Sequence, residues 1–299
     1  MTGRLGSAVL GSLLATAGGA FALWLGIYGF TLFLLIPALL GGLVTWAVRP
    51  ATALRAAGFG AFTVFVAVLS LLLLGREGAV CLIVALPLAL PLGAIGGLLV
   101  HSFQSAKLRA GSTAMLLLLP TASLTWDVNA KPQVFQVRTA LDIAASPEAV
   151  WKNVVSFPDL SEPEEWYFHT GIAYPTGTRI VGTGEGAVRY CEFSTGSLEE
   201  PVTVWDEPNL LRFNVTRTPA PMKEWGLYGQ VDPKHLDGYF ISRQGQFRLI
   251  RLSNGHTLLE GTSWYQHGLW PAEYWRWWSD AIIHRIHLRV LNHIKQLSE

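Results

Sequence analysis

The sequence predicts a protein in two parts: an α-helical membrane bundle, then an α+β domain whose curved antiparallel sheet wraps round a long C-terminal helix. Residues 1–126 carry very few charges and contain apolar stretches long enough to cross a bilayer. Residues 134–267 alternate between short strand-like segments and turns. Residues 271–298 form a long helical pattern in which the single proline stands at the first turn, where a helix accepts it.

The distribution of charge separates the two parts. The charged residues before residue 127 are Arg4, Arg49, Arg55, Arg76, Glu77, Lys107 and Arg109. Most of the 22 basic and 21 acidic residues of the chain therefore lie in the second part. The chain has no basic patch, which argues against nucleic-acid binding. Cys81 and Cys191 lie in different parts and in no metal-binding spacing, so we expect no disulfide, no metal site and no cofactor.

The apolar part, residues 1–126, is long enough for about five membrane spans. We place them near residues 7–25, 30–48, 57–74, 79–100 and 110–126. The last is the weakest, because it is short and contains Pro120. The first 22 residues also fit a signal peptide, but the apolar run continues well beyond the point of cleavage. Since the spans contain no charged residue, we expect an anchor or dimerisation bundle rather than a pump.

A short linker, residues 127–133, joins the bundle to the second domain, residues 134–299. The domain must therefore lie at the membrane surface. It begins with a strand over residues 134–143, followed by a helix that starts at Ser146 with Pro147 in its first turn. Further strands follow, and Asn254-Gly255 marks a hairpin between the last two. The order is strand, two helices, about six antiparallel strands and a long helix.

Four segments of the second domain resemble the START-like or helix-grip superfamily, SRPBCC, which includes Bet v 1-like and polyketide cyclase/dehydrase-like proteins. They are LDIAASPEAVWKNVVSFPDL (141–160), GTGEGAVRYCEFSTG (182–196), EPNLLRF (207–213) and GHTLLEGTSWY (255–265). The resemblance covers residues 134–299 and none of the apolar part. It implies a pocket for a hydrophobic ligand such as a lipid, a sterol or an aromatic compound. Some members catalyse cyclisation or dehydration, but no fixed catalytic motif can be carried over to this chain.

Three ionisable residues share one face of the last predicted helix. Asp280, His284 and His287 are spaced i, i+4 and i+7. The carboxylate is positioned to orient His284 as a general base, or the three side chains contact the polar head of a ligand. Two alternatives remain: a pair of metal ligands without an evident third, and a structural network between helix and sheet.

Two pairs of residues on predicted strands are further candidates for ligand contacts. Arg189 and Glu192 point to opposite faces of one strand, and Trp264 and Tyr265 to opposite faces of another. One member of each pair therefore faces the interior, but the pattern does not say which. A buried arginine would suit an anionic head group.

A long segment with little regular pattern, residues 217–238, interrupts the strands. It carries the large apolar residues Trp225, Leu227 and Tyr228. Segments of this length often act as lids, so we expect these residues to cover the pocket mouth and to contact the ligand or the bilayer. The alternative is an ordered packing loop.

Together these features predict a multi-pass protein of the cell membrane whose second domain binds a hydrophobic or lipid-like small molecule. The expected partners are that ligand and the lipid bilayer, while the oligomeric state is left open. Two alternatives are a cyclase/dehydrase-like enzyme with Asp280 and His284 as an acid/base pair, and a structural scaffold whose interior is filled by side chains.

We predict that the C-terminal domain is extracytoplasmic. With five spans and the N-terminus inside, the inner segments hold most of the basic residues of the apolar part, in agreement with the positive-inside rule. A C-terminal alkaline phosphatase fusion should therefore be active and a C-terminal green fluorescent protein fusion dark. The opposite pair of results would place the domain in the cytoplasm and reduce the fifth segment to a re-entrant piece.

Overall fold

The computed structural model describes residues 20–21, 23–24, 26–105 and 122–299, which form two compact units. The helical unit consists of Met1–Lys131, Glu224–His235 and Gly268–Pro271. The sheet unit consists of Pro132–Lys223, Leu236–His267 and Ala272–Glu299. The division thus differs from a single boundary near residue 130, because two later segments belong with the helices.

The helical unit contains three long apolar helices within the described residues. The first begins with a π-helical turn, Thr31–Leu35, and continues as α1, Ile36–Val48. It is followed by α2, Ala53–Leu73, and α3, Ala79–Ser105. Each is long and apolar enough to cross a membrane, and they match the second, third and fourth predicted spans. The first and fifth predicted spans fall largely outside the described residues.

A carboxylate from a distant position caps the first helix. Asp127 lies in a short helical stretch, residues 122–129, and accepts hydrogen bonds from the backbone amides of Phe30 at 2.7 Å and Thr31 at 2.8 Å. The first amides of a helix have no partner within the helix, and a negative charge there is favourable. The hydroxyl of Thr31 also donates to Ser123 at 2.8 Å. Residues 122–129 are therefore fixed to the start of the first helix.

The three helices approach one another closely at glycine. A Cβ atom added to Gly93 of α3 would lie 2.5 Å from Val64 Cγ2 and 2.8 Å from the carbonyl oxygen of Gly60, both on α2. One added to Gly41 of α1 would lie 1.9 Å from the carbonyl oxygen of Gly93. Small residues permit such backbone contact between apolar helices, where packing drives association.

The sheet unit has a seven-stranded antiparallel sheet. Its strands are β1 (Val134–Ile143), β2 (Pro175–Val181), β3 (Val188–Phe193), β4 (Gly196–Asp206), β5 (Leu210–Asn214), β8 (Phe240–Arg251) and β9 (Thr257–His267). They are ordered β1-β9-β8-β5-β4-β3-β2. Two helices accompany the sheet, α4 (Pro147–Val155) and the C-terminal α5 (Ala272–Ser298). This curved sheet with its long last helix confirms the predicted fold class.

One face of the sheet packs against α5, and we call it the inner face. Leu211, Leu249 and Leu259 of the sheet share a buried cluster with Leu291 and Ile294 of α5. The helix α4 closes the same cluster with side chains that include Val150, Trp151 and Val154. Since strand residues alternate between faces, this cluster fixes which residues of every paired strand face inward.

The remaining two strands form a small hairpin in the helical unit. They are β6 (Glu224–Gly226) and β7 (Gly229–Val231). The hairpin lies within the segment predicted to be irregular, and it contacts α3. Segment 217–238 therefore contains regular structure that belongs to the helical unit.

We predict that Gly93→Ala destabilises the helical unit, because its Cβ would collide with Val64 and Gly60. Overpacking of this kind costs about 1–3 kcal/mol. Gly58→Ala on α2 is the matched control, since a Cβ there meets nothing within 4 Å. Thermal unfolding of the full chain in detergent should show a lower melting temperature for Gly93→Ala only. Equal melting temperatures would contradict the close packing of these helices.

Candidate functional site

The inner face of the sheet unit carries several polar side chains among its apolar ones. Thr139 of β1 and Ser263 and Tyr265 of β9 occupy inward positions near one end of α5, and Arg189 of β3 lies on the same face. The apolar residues between them belong to two separate buried clusters, one around Leu259 and one around Phe135. The polar groups therefore line an interior that is mostly apolar.

Two histidines of α5 meet one hydroxyl of the sheet. The Nδ1 atoms of His284 and His287 lie 2.8 Å and 3.0 Å from Thr139 Oγ1. Ser263 Oγ lies 2.8 Å from Nε2 of His287, which thus has a polar partner at both ring nitrogens. Burial, and then the neighbouring His284, lower the pKa of His287 to about 4, so this ring is neutral at physiological pH. His284 is more exposed and marks the edge of the network.

Asp280 joins a second network one turn earlier on α5. Its carboxylate accepts a hydrogen bond from the hydroxyl of Tyr265 at 2.6 Å and another from Nε of Arg276 at 3.2 Å. Burial, and then Asp280, raise the pKa of Tyr265, so its hydroxyl remains protonated and donates. One role proposed for Asp280 from the sequence was to orient His284. The structure instead directs Asp280 to Tyr265 and Arg276, because the arginine one turn away and the inward tyrosine both offer donors to it.

A buried ion pair lies on the inner face at the other side of the sheet. Arg189 of β3 is 2% exposed and donates from Nη1 to Glu200 of β4, which is 5% exposed. The two residues are direct neighbours in the register of the two strands. The guanidinium carbon of Arg189 lies 5.9, 5.4 and 5.4 Å from the ring centres of Phe157, Phe213 and Phe247. The pair is thus surrounded by aromatic rings, whose faces attract a cation.

Two buried nitrogens beside Phe157 have no hydrogen-bond partner. They are Nε of Arg189 and Nε2 of His293 on α5, whose ring contacts that of Phe157 with centres 5.5 Å apart. More than nine in ten buried polar groups in native proteins are paired, and an unpaired one costs about 1–3 kcal/mol. These two atoms are therefore unsatisfied polar atoms near Phe157.

Burial also sets the charge of the neighbouring groups. Burial raises the pKa of Glu200, and the Arg189 guanidinium counters part of that rise. Cys191, two residues further along β3 on the same face, has its pKa raised to about 12 by burial and by Glu200. It is therefore a neutral thiol and a poor nucleophile.

Glu192 and Trp264, two of the predicted contact residues, do not face the interior. Glu192 lies on the outer face of β3 and forms an ion pair with Arg179 at 3.3 Å. Trp264 occupies an outward position of β9, opposite Gln136 and Gln244 in the neighbouring strands. Side chains alternate between the two faces along a strand. Because Arg189 and Tyr265 face inward, Glu192 and Trp264 face outward. The outer face also carries an open groove of about 530 Å³ lined by Arg212 and Arg248, a polar surface unlike the interior.

Trp225, Leu227 and Tyr228, the predicted lid residues, are exposed on the β6–β7 hairpin. Their exposed fractions are 50%, 58% and 80%. The hairpin belongs to the helical unit, whereas the inner face belongs to the sheet unit. A role for these three residues over a pocket mouth stays a prediction, and so does their contact with a bilayer.

Sequence reasoning missed several residues that contribute to these networks. Thr139, Ser263, Glu200 and His293 gave no signal alone, since each becomes notable only through strand register or through the packing of α5. It also missed a cluster of Cys81, Glu224 and His235 in the helical unit, whose ligand atoms lie within 4.8 Å of one another. Cys81 and His235 are 154 positions apart, so no local spacing could have revealed it.

No protein-family model and no curated protein matches this sequence. Similar solved structures include a truncated norcoclaurine synthase from Thalictrum flavum, which is 14% identical to this chain. The match covers 56% of this chain and 96% of the synthase, with a TM-score of 0.35. The Zhui aromatase/cyclase from Streptomyces sp. R1128 is 14% identical to this chain, and the match covers 56% of this chain and 94% of that chain, with a TM-score of 0.36. The Aha1 dimer from Colwellia psychrerythraea is 15% identical to this chain, and the match covers 55% of this chain and 96% of that chain, with a TM-score of 0.32. The fold assignment rests on the strand order and the last helix described above.

We predict that His287 makes the stability of the sheet unit depend on pH. The pKa of His287 falls from 6.5 to about 4 on folding, so between these values the unfolded chain binds a proton that the folded chain does not. Stability is therefore present above pH 6.5 and is lost as the pH falls to about 4, by at most about 3 kcal/mol.

The measurement is thermal unfolding of the full chain in detergent at about pH 7 and at about pH 4.5. Most of the predicted loss of stability falls between these two pH values. His287→Gln retains a donor and an acceptor for Thr139 and Ser263 but has no group to titrate, so its melting temperature should fall less on acidification. His256→Gln is the control, because the side chain of His256 is 38% exposed and pairs with Asp142. An unchanged acid response in His287→Gln would contradict the prediction.

Proposed function

We propose that this protein is a membrane-anchored ligand-binding protein whose sheet unit holds an amphipathic, hydrophobic small molecule. Its polar head would lie at Arg189 and His293, and its apolar body among the apolar side chains of the inner face. The observation that carries the proposal is the buried Arg189–Glu200 pair, enclosed by three phenylalanine rings and left with an unpartnered nitrogen.

The charge of this site favours a particular kind of head group. The Arg189–Glu200 pair is neutral as a whole, so the site does not require a counter-ion. Its unpartnered Nε of Arg189 is a hydrogen-bond donor. The head group that fits is therefore a hydrogen-bond acceptor such as a carbonyl, a hydroxyl or a carboxylic acid. This chemistry agrees with a fatty acid, a sterol or an aromatic ketone, which share one polar end and a large apolar body.

Membrane anchoring is supported by the three apolar helices of the helical unit. Lys131 ends the first segment of the helical unit and Val134 begins β1, so a very short stretch of chain joins that segment to the sheet. A ligand-binding domain tethered in this way remains within reach of the bilayer, which is the source of lipid-like molecules in a cell. Location in the cell membrane and an extracytoplasmic sheet unit complete the proposal.

Neither alternative gains a specific supporting contact. A cyclase/dehydrase-like enzyme with Asp280 and His284 as an acid/base pair is disfavoured, because Asp280 binds Tyr265 and Arg276. A scaffold with a filled interior is disfavoured by the buried arginine itself. Apolar residues of similar volume would fill the same space without the cost of burying two charges.

We predict that replacing the buried pair weakens ligand binding without harming the fold. The variant Arg189→Met/Glu200→Leu removes both charges together, a change that is often neutral or stabilising. Loss of a hydrogen bond to a charged donor, worth about 1.5–3 kcal/mol, corresponds to a loss of affinity of about 10- to 100-fold. The control is Arg179→Met/Glu192→Leu, which removes the ion pair of the outer face on neighbouring strands.

The measurement is mass spectrometry of lipids extracted from each purified full-length protein, together with uptake of a fluorescent fatty acid and the melting temperature. Wild type and the outer-face control should carry ligand, and the inner-face variant should carry less of it. If all three proteins carry the same ligand, the polar head does not lie at Arg189. If none carries or takes up a ligand while the inner-face variant melts at a higher temperature, the interior is a scaffold.

A further inference from the structure

The helical unit contains a cluster of three different metal-binding side chains. Cys81 lies in the first turn of α3, Glu224 begins β6, and His235 lies in the 3₁₀ turn Lys234–Leu236. Their ligand atoms all lie within 4.8 Å of one another, and Sγ of Cys81 is 3.0 Å from Nε2 of His235. All three belong to the same compact unit.

Glu224 lacks the partners that a buried carboxylate needs. It is 0% exposed, and neither of its oxygens accepts a well-formed hydrogen bond. Its polar neighbours are the thiol and the backbone amide of Cys81. Buried charges in proteins are paired or coordinate metal ions. The thiol and the amide of Cys81 carry no positive charge, so they leave the buried carboxylate of Glu224 without a counter-charge.

No lysine or arginine of the described residues forms an ion pair with Glu77 or Glu224. A second carboxylate, Glu77, is 4% exposed, and its recorded ion-pair partner is His235 rather than a lysine or arginine. Lys234 is adjacent in sequence, but its ammonium group donates to the carbonyl of Trp24. Two carboxylates and a thiol thus surround one imidazole, an arrangement that a divalent cation would neutralise.

The ligand atoms lie near, but not at, the spacing of a four-coordinate zinc site. Zinc binds sulfur at about 2.3 Å and nitrogen at about 2.0 Å, which places the two ligand atoms about 3.5 Å apart in a tetrahedral site. The sulfur and nitrogen here are 3.0 Å apart, so an ion would separate them by about half an ångström. A thiolate, an imidazole and a carboxylate are also the three ligand types that zinc accepts.

The surroundings supply the outer contacts that orient a zinc-bound histidine. Nδ1 of His235, the ring nitrogen turned away from Cys81, faces Glu77 Oε2 at 3.4 Å. Glu77 is held in turn by the hydroxyl of Tyr28, which donates to Oε1 at 2.7 Å. Metal-binding histidines commonly point their other nitrogen at a carboxylate, which fixes the ring and raises its basicity. Gly78 allows the approach, since a Cβ there would lie 1.7 Å from Glu224 Oε2.

We propose that Cys81, Glu224 and His235 bind one divalent zinc ion, with Glu77 and Tyr28 as outer partners. The ion fastens the segment Glu224–His235, including the β6–β7 hairpin, to the start of α3. Three protein ligands leave the fourth tetrahedral position for water, which distinguishes this site from closed structural sites with four protein ligands. The proposal is independent of ligand binding by the sheet unit.

The first experiment uses the wild-type chain, purified in detergent without an affinity tag of histidines. Metal analysis after dialysis against zinc should find one equivalent of zinc per chain, and zinc should raise the melting temperature relative to chelator-treated protein. Cobalt, a spectroscopic substitute for zinc, should produce the near-ultraviolet charge-transfer band of a cobalt–thiolate bond. Absence of both the metal equivalent and the cobalt band would overturn the proposal.

The second experiment assigns the ligands. Cys81→Ser, Glu224→Gln and His235→Gln should each weaken zinc binding by more than tenfold in competition with a chromophoric chelator, and Cys81→Ser should also abolish the cobalt–thiolate band. Glu77→Gln should weaken binding by about 10- to 100-fold, as loss of an outer partner does. Cys191→Ala and His256→Gln are the matched controls, because they remove a cysteine and a histidine of the sheet unit.

The two sets of variants separate a real site from alternatives. Unchanged zinc affinity and an unchanged cobalt band in Cys81→Ser would overturn the proposal, as would equal losses in the controls. Where a ligand variant unfolds, Glu77→Gln still tests the site, because Glu77 acts through His235 and loses only the outer contact. A normal affinity in folded Glu77→Gln together with normal affinity in Cys81→Ser would assign any bound zinc to the protein surface.

Discussion

The packing of α5 on one face of the sheet is the constraint on which the rest of the sheet unit depends. Leu291 and Ile294 are fully buried against Leu211 and Leu259. Once this face is inward, alternation along each strand places Arg189, Thr139 and Tyr265 in the interior, and the ladder brings Glu200 beside Arg189. The positions of the polar groups therefore follow from an apolar contact between the sheet and α5.

Much of the architecture could be predicted from the sequence because local patterns of apolar, charged and turn-forming residues determine it. The scarcity of charge in residues 1–126 and the proline-free run at the C-terminus indicated the three apolar helices and α5. The face of each strand was not predictable, since Arg189 and Glu192 are equally polar and only the packing of α5 distinguishes them. Likewise, Asp280 and His284 both contact strands of the sheet, but the hydrogen bond that Tyr265 of β9 donates to Asp280 is not revealed by sequence spacing.

The division into units was harder to predict than the folds of the units. Residues 224–235 lie between strands of the sheet in sequence, yet they join the helical unit. Composition suggested a lid, because Trp225, Leu227 and Tyr228 are large and apolar. The decisive residues are the two polar ones at the ends of this segment, Glu224 and His235, which are buried while the apolar ones are exposed. This reverses the usual order of burial, in which glutamate is almost never fully buried unless it is paired.

The two units each bury a small group of ionisable side chains, and the difference in charge between the groups indicates different ligands. In the sheet unit, Arg189 and Glu200 cancel each other, and Nε of Arg189 has no hydrogen-bond partner. A neutral acceptor is sufficient there. In the helical unit, Glu77, Glu224 and Cys81 surround one histidine, and the carboxylate of Glu224 and Nδ1 of His235 have no hydrogen-bond partner. Desolvation of that carboxylate is offset only by a proton or a cation, and the nearby sulfur and nitrogen atoms favour the cation, because they add ligands that a proton would not use.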